Sequence, residues 1–198
     1  MLAALTGMGL AAAAGLNAYI PFLIVALLAK FTDVLVLPTS LEWMESWWAI
    51  GIGTVLLVTE LVLDKIPAVD TVNDTIQTFI RPLMGGVLYA ATQAAETVES
   101  SPWMQENSWV GIVLGIALSL IVHSGKMATR PVVNASTLGA GAPVVSTVED
   151  GASLGLSLIA VFLPVLVIAV LALIAWLFVW LWLRRRRRRR GRDRAAYA

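Results

Sequence analysis

The stretch LGLSLIAVFLPVLVIAVLALIAWLFVWLWLRRRRRRR, residues 154–190, decides the class of fold. Thirty residues without a single charged side chain run directly into seven arginines. A membrane-spanning helix needs about twenty mostly apolar residues, and basic residues that follow one hold its end on the cytoplasmic side. The stretch therefore predicts an integral membrane protein whose C-terminal tail is cytoplasmic.

The composition of the whole chain agrees with this prediction. Of its 198 residues, 59% are hydrophobic and 14% are charged, with a mean hydropathy of +0.82. Soluble domains average about 45–50% apolar and about 25% charged residues. The chain has no cysteine and one histidine, which excludes disulfides and a centre with several histidine ligands. We expect no metal site and no cofactor.

The charge is divided unevenly along the chain. Nine of the fourteen basic residues lie at or after Arg184, so residues 1–183 hold five basic residues against twelve acidic ones. An arginine run can indicate nucleic acid binding. Directly after an apolar segment, it instead favours contact with the anionic lipid headgroups of the cytoplasmic leaflet, through Arg184–Arg190. We expect the tail, residues 184–198, to be disordered and nucleic acid not to be a partner.

Hydropathy alone indicates five spanning segments. A count of five would place the loops with Lys65 and Lys126 on the side opposite the arginine tail, against the usual distribution of positive charge. The five segments are Leu5–Ala29, Trp48–Leu63, Ile76–Ala95, Trp109–His123 and Gly151–Leu183.

An internal repeat suggests a sixth element. A shift of 61 residues aligns Lys65 with Lys126 and Asn73 with Asn134. The short segment Pro131–Val148 then becomes a membrane element of its own, followed by a turn at residues 149–150. We thus predict one domain, residues 1–183, that is an all-α polytopic transmembrane bundle of about six membrane elements. Five are long helices and one is a short or broken segment, in three hairpins of residues 10–70, 71–131 and 132–183. Both termini would be cytoplasmic.

Polar residues in apolar surroundings are the candidates for a functional site. Asn17 interrupts the first segment, and Pro21 removes a helical hydrogen bond close by. Two interpretations stay open: a kinked helix whose Asn caps a neighbour, or a broken helix that lines a cavity. Irregular backbone at membrane depth must be covered by protein or water.

Two further stretches carry opposite charge. The acidic arm, residues 60–81, has carboxylates spaced four apart on one helical face, and it includes Glu60, Asp64, Lys65, Asp70, Asp74 and Arg81. The basic arm, residues 123–143, has Lys126, Arg130 and Asn134. If the arms face each other, carboxylates of the first can pair with cations of the second. The open alternative for the acidic arm is a solvated cytoplasmic loop.

The motifs AGLNAYIP at Ala14–Pro21, DKIPAVDTVND at Asp64–Asp74 and IRP at Ile80–Pro82 resemble the bacterial domain-of-unknown-function 4126 family of small polytopic membrane proteins. The later HSGK and VNAS motifs and the Glu149-Asp150 pair resemble the second half of that family. The resemblance implies a bacterial inner-membrane protein and supports the importance of Asn17 and of the two arms. It implies no particular activity, and the arginine tail is not part of it.

The sequence carries no nucleophile elbow, P-loop, dinucleotide fingerprint or HExxH motif, so we do not expect an enzyme.

The repeat, the interrupted helices and the opposed arms favour a small transporter, channel or lipid-translocating protein. In that hypothesis the Asp residues handle a cation or proton, and Arg81, Lys126 and Arg130 hold an anionic group. The alternative is an accessory or scaffold subunit of a larger membrane complex. A transporter this short predicts a homo-oligomer. His123 is expected to be a hydrogen-bonding anchor.

Overall fold

The computed structural model describes residues 2–66, 69–93, 107–176, 179–180 and 184, and throughout these ranges the chain is all-α, without a strand. A short 3-10 helix at Thr39–Glu45 precedes α3. The helices are α1 (Leu2–Leu16), α2 (Tyr19–Phe31), α3 (Trp47–Leu63), α4 (Val69–Gln93), α5 (Ser108–Thr137), α6 (Ala142–Phe162) and α7 (Pro164–Trp176). The prediction for the arginine tail concerns residues that, apart from Arg184, lie outside these ranges.

The first apolar segment is not the continuous helix Leu5–Ala29 that hydropathy indicates. It consists of α1 and α2, separated at Asn17 and Ala18. The Asn17 side-chain oxygen accepts hydrogen bonds from the backbone N–H groups of Tyr19 (3.0 Å) and Ile20 (3.2 Å), so it caps the start of α2. The segment is therefore a broken helix, and the Asn17 side chain caps its second half. That this break lines a cavity stays a prediction.

Both halves extend from this break to the same end of the bundle. Along α1, Gly7 packs against Tyr89 and Thr92 near the end of α4. The last residue of α2, Phe31, packs against Trp47 at the start of α3. α3 and α4 meet at the turn that follows Asp64, and both run from it toward the end with Trp47 and Gln93. We call the end of the bundle with Trp47 and Gln93 the tryptophan end. The opposite end, with the turn at residues 64–66, is called the network end.

The centre of the bundle is formed by α1, α4 and α5, where small residues bring the backbones close together. Ala11 to Ala14 of α1 are fully buried. A Cβ atom added at Gly85 of α4 would lie 2.7 Å from the carbonyl oxygen of Gly115 in α5. Such small-residue contacts are the usual way in which membrane helices approach each other.

We predict that Gly85→Val destabilises the protein by about 1–3 kcal/mol, because the added side chain must displace the α5 backbone. Gly51→Val is the matched control, since a Cβ atom at Gly51 of α3 meets nothing within 4 Å. The free energy of unfolding of both variants in detergent measures the effect. Equal losses would show that the α4–α5 approach is not tight.

The region between α5 and α6 differs from the predicted division. Pro131 lies inside α5, and the turn falls at residues 138–141, where Gly139 has a φ of 87° that glycine adopts without strain. α6 then runs through Glu149 and Asp150 without a turn. The prediction of a separate element at Pro131–Val148 with a turn at residues 149–150 is therefore wrong. The three repeat units stay a prediction.

The last apolar segment folds back at Leu163, beside the predicted kink at Pro164. Gly9 of α1 packs against both Ala160 of α6 and Val167 of α7. Val170 and Leu171 pack with Leu156 and with Ala12 and Ala13 of α1. α7 thus returns toward the network end, whereas α1 begins at the tryptophan end.

Two described helices are long and apolar enough to cross a membrane, Trp109–Thr137 and Ala142–Phe162, and the bent pair Thr39–Glu45 with Trp47–Leu63 makes a third if counted as one span. Large apolar side chains such as Val55, Phe79 and Leu83 are exposed, while charged side chains lie inside. An apolar exterior around a polar interior is compatible with a membrane protein.

Candidate functional site

The polar residues of α4 and α5 face each other across the helix pair. Along α4, Asp70, Asn73, Asp74, Gln77 and Arg81 are all buried. His123, Lys126 and Arg130 of α5 are buried as well, and Asn134 is partly buried. Spacings of three and four residues place each set on one helical face. Because the helices are antiparallel, Arg81 meets His123, and Asp70 meets Asn134.

Asp64, at the C-terminal end of α3, lies at the centre of this network. One carboxylate oxygen accepts from Lys126 Nζ (2.9 Å) and Arg130 Nη2 (2.8 Å), and the other accepts from Asn73 Nδ2 (2.8 Å). Burial alone would raise the pKa of the Asp64 carboxyl, but the Lys126 ammonium and the Arg130 guanidinium outweigh burial and hold that pKa well below its usual range. Asp64 therefore joins the acidic and basic arms as a carboxylate.

Arg81 extends the network toward the middle of the bundle. Its side chain is completely buried, and Nη2 donates to Glu60 Oε1 at 2.5 Å. Nη1 lies 3.8 Å from Asp74 Oδ1 and donates to the carbonyl oxygen of Gly15 (3.4 Å). One guanidinium thus links α3, α4 and the end of α1.

Lys126 and Arg130 also share a carboxylate of α6. Arg130 Nη2 donates to Glu149 Oε2 at 2.6 Å, and Lys126 Nζ lies 3.2 Å from the same oxygen. Arg130 Nη1 is 3.6 Å from Asp74 Oδ2. Asn134 Nδ2 donates to Asp70 Oδ2 at 2.9 Å. The basic arm is therefore engaged with carboxylates of α3, α4 and α6.

His123 is held in one tautomer. Its Nδ1 lies 3.0 Å from Arg81 Nη1, and because arginine can only donate, Nδ1 must be the unprotonated acceptor. Nε2 then carries the proton and donates to Thr78 Oγ1 (3.0 Å), which in turn donates to the carbonyl oxygen of Asp74 (2.8 Å). His123 lies midway along α5 as a neutral anchor for Arg81.

We predict that His123→Gln preserves most of the stability that His123→Leu loses. The glutamine side chain supplies both an acceptor for Arg81 and a donor for Thr78, whereas leucine leaves the buried Arg81 with one acceptor fewer, a loss of about 1–3 kcal/mol. Unfolding in detergent measures the two variants. Glutamine and leucine variants of equal stability would show that the pairing with Arg81 contributes nothing.

The break between α1 and α2 borders this network. Asn17 Nδ2 donates to Asp150 Oδ1 on α6 at 3.0 Å, and Lys126 Nζ donates to the carbonyl oxygen of Leu16 at 3.1 Å. Lys65 Nζ lies 4.0 Å from Asp150 Oδ2, with 40% of its side chain exposed. The freed backbone groups of the break are thus covered by charged side chains.

Carboxyl groups outnumber basic groups in this network. Among the residues that the structure describes, six carboxyls face four basic side chains: Glu60, Asp64, Asp70, Asp74, Glu149 and Asp150 against Lys65, Arg81, Lys126 and Arg130. Four buried oxygens of the described network also have no hydrogen-bond donor: Glu60 Oε2, Asp74 Oδ1, Gln77 Oε1 and Asp150 Oδ2. The arrangement can accept protons or a small cation at these oxygens. Within the described ranges, no three Asp, Glu or His side chains are placed to hold a metal ion.

The structure brings together all ten residues that the sequence marks as candidates. The described carboxylates of the acidic arm pair with the basic arm as predicted, and residues 70–81 lie in α4 and not in a solvated loop. Arg81, Lys126 and Arg130 are each paired with carboxylates of the network, whereas Arg81 Nε and Arg130 Nη1 are buried without a hydrogen-bond acceptor. Sequence reasoning missed Glu149 and Asp150 as partners. Their signal was two adjacent carboxylates within an otherwise apolar segment, which are costly unless paired.

The comparisons with known proteins identify a family for this chain. A family model described as "Domain of unknown function (DUF4126)" matches residues 4–184. The matched range contains the whole polar network and both folded-back helix pairs. No curated protein and no solved structure matches the chain.

Proposed function

The chain belongs to the domain-of-unknown-function 4126 family, and we propose that it is a small, non-catalytic membrane transporter that moves a proton or monovalent cation, alone or coupled to a solute or lipid. One observation carries this proposal: the helix break at Asn17 lies against a buried network in which carboxyls outnumber basic groups.

The excess of carboxyl groups needs compensation. Unpaired charge inside a membrane protein is costly, and ionisable residues there usually mark a pathway for ions or protons. Glu60, Asp74 and Gln77 each have a buried oxygen without a hydrogen-bond donor, so a proton or a cation can be accepted there. A site that is completed by a mobile charge is the central part of an ion-coupled transporter.

The broken helix supports the same function. Transporters place their ion and substrate sites where discontinuous helices end, because half-helix ends present free backbone groups. Here the carbonyl oxygens of Gly15 and Leu16 point to Arg81 and Lys126, and α2 starts beside them. A change in the network's charge would therefore act directly on the position of α1 and α2.

For the orientation we propose that the network end is cytoplasmic in a bacterial inner membrane. α7 runs toward that end, and the arginine run that follows it, Arg184–Arg190, suits the anionic cytoplasmic leaflet. Lys65 lies at the same end. α1 begins at the tryptophan end, so this proposal moves the start of α1 to the opposite side from the predicted cytoplasmic N-terminus. We keep the proposal of a homo-oligomer, because one chain leaves little room for a pathway of its own.

Reconstitution of the purified protein in liposomes tests the function. We expect an imposed pH or potassium gradient to dissipate faster than in empty vesicles, and Asp74→Asn to slow that flux at least about tenfold, a change of about 1.4 kcal/mol in barrier. Asp33→Asn is the control, since Asp33 is exposed and outside the network. Wild-type protein without proton, cation or labelled-lipid flux would contradict the proposal.

The alternative is an accessory or scaffold subunit, and one observation favours it. The basic residues Arg81, Lys126 and Arg130 each form ion pairs with carboxylates inside the protein, as in a structural network. In that case the wild type conducts nothing, co-purifies with a larger membrane complex, and loses that association when Asp64→Asn and Lys126→Met disrupt the network.

A further inference from the structure

A groove of about 540 Å³ lies between α2, α3 and α6. This volume is within the range of about 300–1,000 Å³ that is typical of small-molecule sites. Its walls are almost entirely aliphatic, with Leu23 and Leu27 from α2, Leu57 and Leu61 from α3, and Leu154 from α6. The groove follows α3 from Leu57 to Lys65, a rise of about 12 Å. An apolar chain fits along it.

One end of the groove is charged. Lys65 and Asp150 both line it there, with 4.0 Å between Lys65 Nζ and Asp150 Oδ2. Lys65 Nζ donates to the carbonyl oxygen of Leu61 at 2.9 Å, and its side chain is 40% exposed. Asp150 Oδ2 is buried without a hydrogen-bond donor. The groove therefore ends in one cation and one anion that form a loose ion pair at 4.0 Å, without a hydrogen bond between them.

The position of this charged end matches a lipid headgroup. α3 starts with Trp47 and Trp48 at the tryptophan end and is 17 residues long, a rise of about 25 Å. Lys65 lies two residues beyond Leu63, the last residue of α3, so it lies close to one hydrocarbon thickness, about 30 Å, from Trp47. A lipid in the groove thus has its acyl chain in the hydrocarbon region and its headgroup beside Lys65 and Asp150.

The two charges select the type of headgroup. The Lys65 ammonium suits a phosphate, and Asp150 Oδ2 suits an ammonium that can donate a hydrogen bond. A zwitterionic headgroup with a primary amine supplies both and adds no net charge to a network that already has surplus carboxyls. The glycerol headgroup of an anionic phospholipid offers Asp150 Oδ2 only neutral hydroxyl donors and adds a negative charge to the network.

A second groove, of about 390 Å³, is lined by Lys126 and Glu149, but these two charges lie 3.2 Å apart and are already paired. It offers no comparable polar end.

We propose that the groove between α2, α3 and α6 binds a phospholipid with a zwitterionic primary-amine headgroup, with the phosphate on Lys65 and the ammonium on Asp150. This site does not depend on ion movement through the network.

Titration of the full-length, delipidated protein in detergent with dioctanoyl phosphatidylethanolamine, phosphatidylcholine and phosphatidylglycerol, followed by native mass spectrometry, tests the headgroup. We expect phosphatidylethanolamine to bind about tenfold more tightly than the other two, since the choline ammonium cannot donate and the glycerol headgroup has no cation. Lys65→Gln should weaken its binding about tenfold, and Asp150→Asn should abolish its advantage over phosphatidylglycerol. Equal binding of the three lipids to the wild type would overturn the proposal.

Two glycines of α6 test the groove without touching the charges. A Cβ atom at Gly151 or at Gly155 meets nothing within 4 Å, so both positions accept a larger side chain. Only Gly151 lines the groove. Gly151→Phe should reduce binding at least about tenfold, while the matched Gly155→Phe stays within about twofold of the wild type.

Two results would overturn the groove as a lipid site. The first is an equal effect of Gly151→Phe and Gly155→Phe on lipid binding. The second is a Gly151→Phe variant that binds lipid as the wild type does but has the mass of a monomer where the wild type has that of an oligomer. That result would assign the groove to a second copy of the chain. Loss of ion flux with intact lipid binding would contradict only the proposed transport, so the two proposals fail separately.

Discussion

Asp64→Asn is expected to lower the free energy of unfolding by about 3–5 kcal/mol, because the buried ammonium of Lys126 and guanidinium of Arg130 then lose the carboxylate that they share. Asparagine has nearly the same shape, so the loss reports charge and not packing. The carboxylate of Asp64 also accepts from Asn73, which ties the start of α4 to the end of α3. We expect α4 to loosen at its first turns.

Chemical or thermal unfolding in detergent measures this loss, with the exposed Asp33→Asn as the control for removing one acidic charge. The double variant Asp64→Asn with Lys126→Met tests the cause. Because it removes one of the stranded cations, it should lose less stability than the two single variants together. Strictly additive losses would show that the two side chains do not interact in the folded protein.

Arg81→Met should have an effect of similar size, also about 3–5 kcal/mol, because it leaves the carboxyl of Glu60 buried without its cation. Methionine fills much of the arginine volume, so no large cavity forms. The loss should also reach α1, since Arg81 donates to the carbonyl oxygen of Gly15. Increased protease access near the break at Asn17 would report this second effect.

The partner variant Glu60→Gln separates charge from shape in this pair. A neutral glutamine tolerates the absence of the guanidinium, so Glu60→Gln with Arg81→Met should recover part of the stability that Arg81→Met loses. The single variant Arg81→Lys should be less stable than this double variant, because one ammonium cannot contact Glu60, His123 and Gly15 together. A double variant as unstable as the sum of its single variants would contradict the pairing of Glu60 with Arg81.

The pairing of the two arms could be predicted from sequence because it depends on local spacing. Glu60 and Asp64 share a helical face, as do Lys126 and Arg130, and buried charges must find partners of opposite sign. These rules limit the possible pairings without a knowledge of the tertiary structure. The pairing of acidic with basic residues followed directly, although the additional carboxylate from Glu149 did not.

The folding back of the first and last apolar segments could not be predicted in the same way. A hydropathy pattern shows that a segment avoids water, but α1 and α2 are apolar whether they continue in line or reverse at Asn17. The reversal depends on contacts with residues far along the chain, including Asp150 and Thr92. For the same reason, the polar pair at residues 149–150 suggests a turn in the sequence, because its partners Asn17 and Arg130 become apparent only in the folded structure.

The contact between Asn17 and Asp150 has a consequence for the order of assembly. The two side chains are 133 residues apart in the sequence, so the partner of Asn17 emerges from the ribosome only when most of the chain has been made. Contacts of such long range form late and slow the folding of a chain. The N-terminal hairpin of α1 and α2 therefore stays loosely packed during synthesis. It packs tightly only after α6 has been made and Asp150 can contact Asn17. A chain stopped before Ala142 should leave this hairpin open to protease, whereas a chain stopped after Trp176 should protect it.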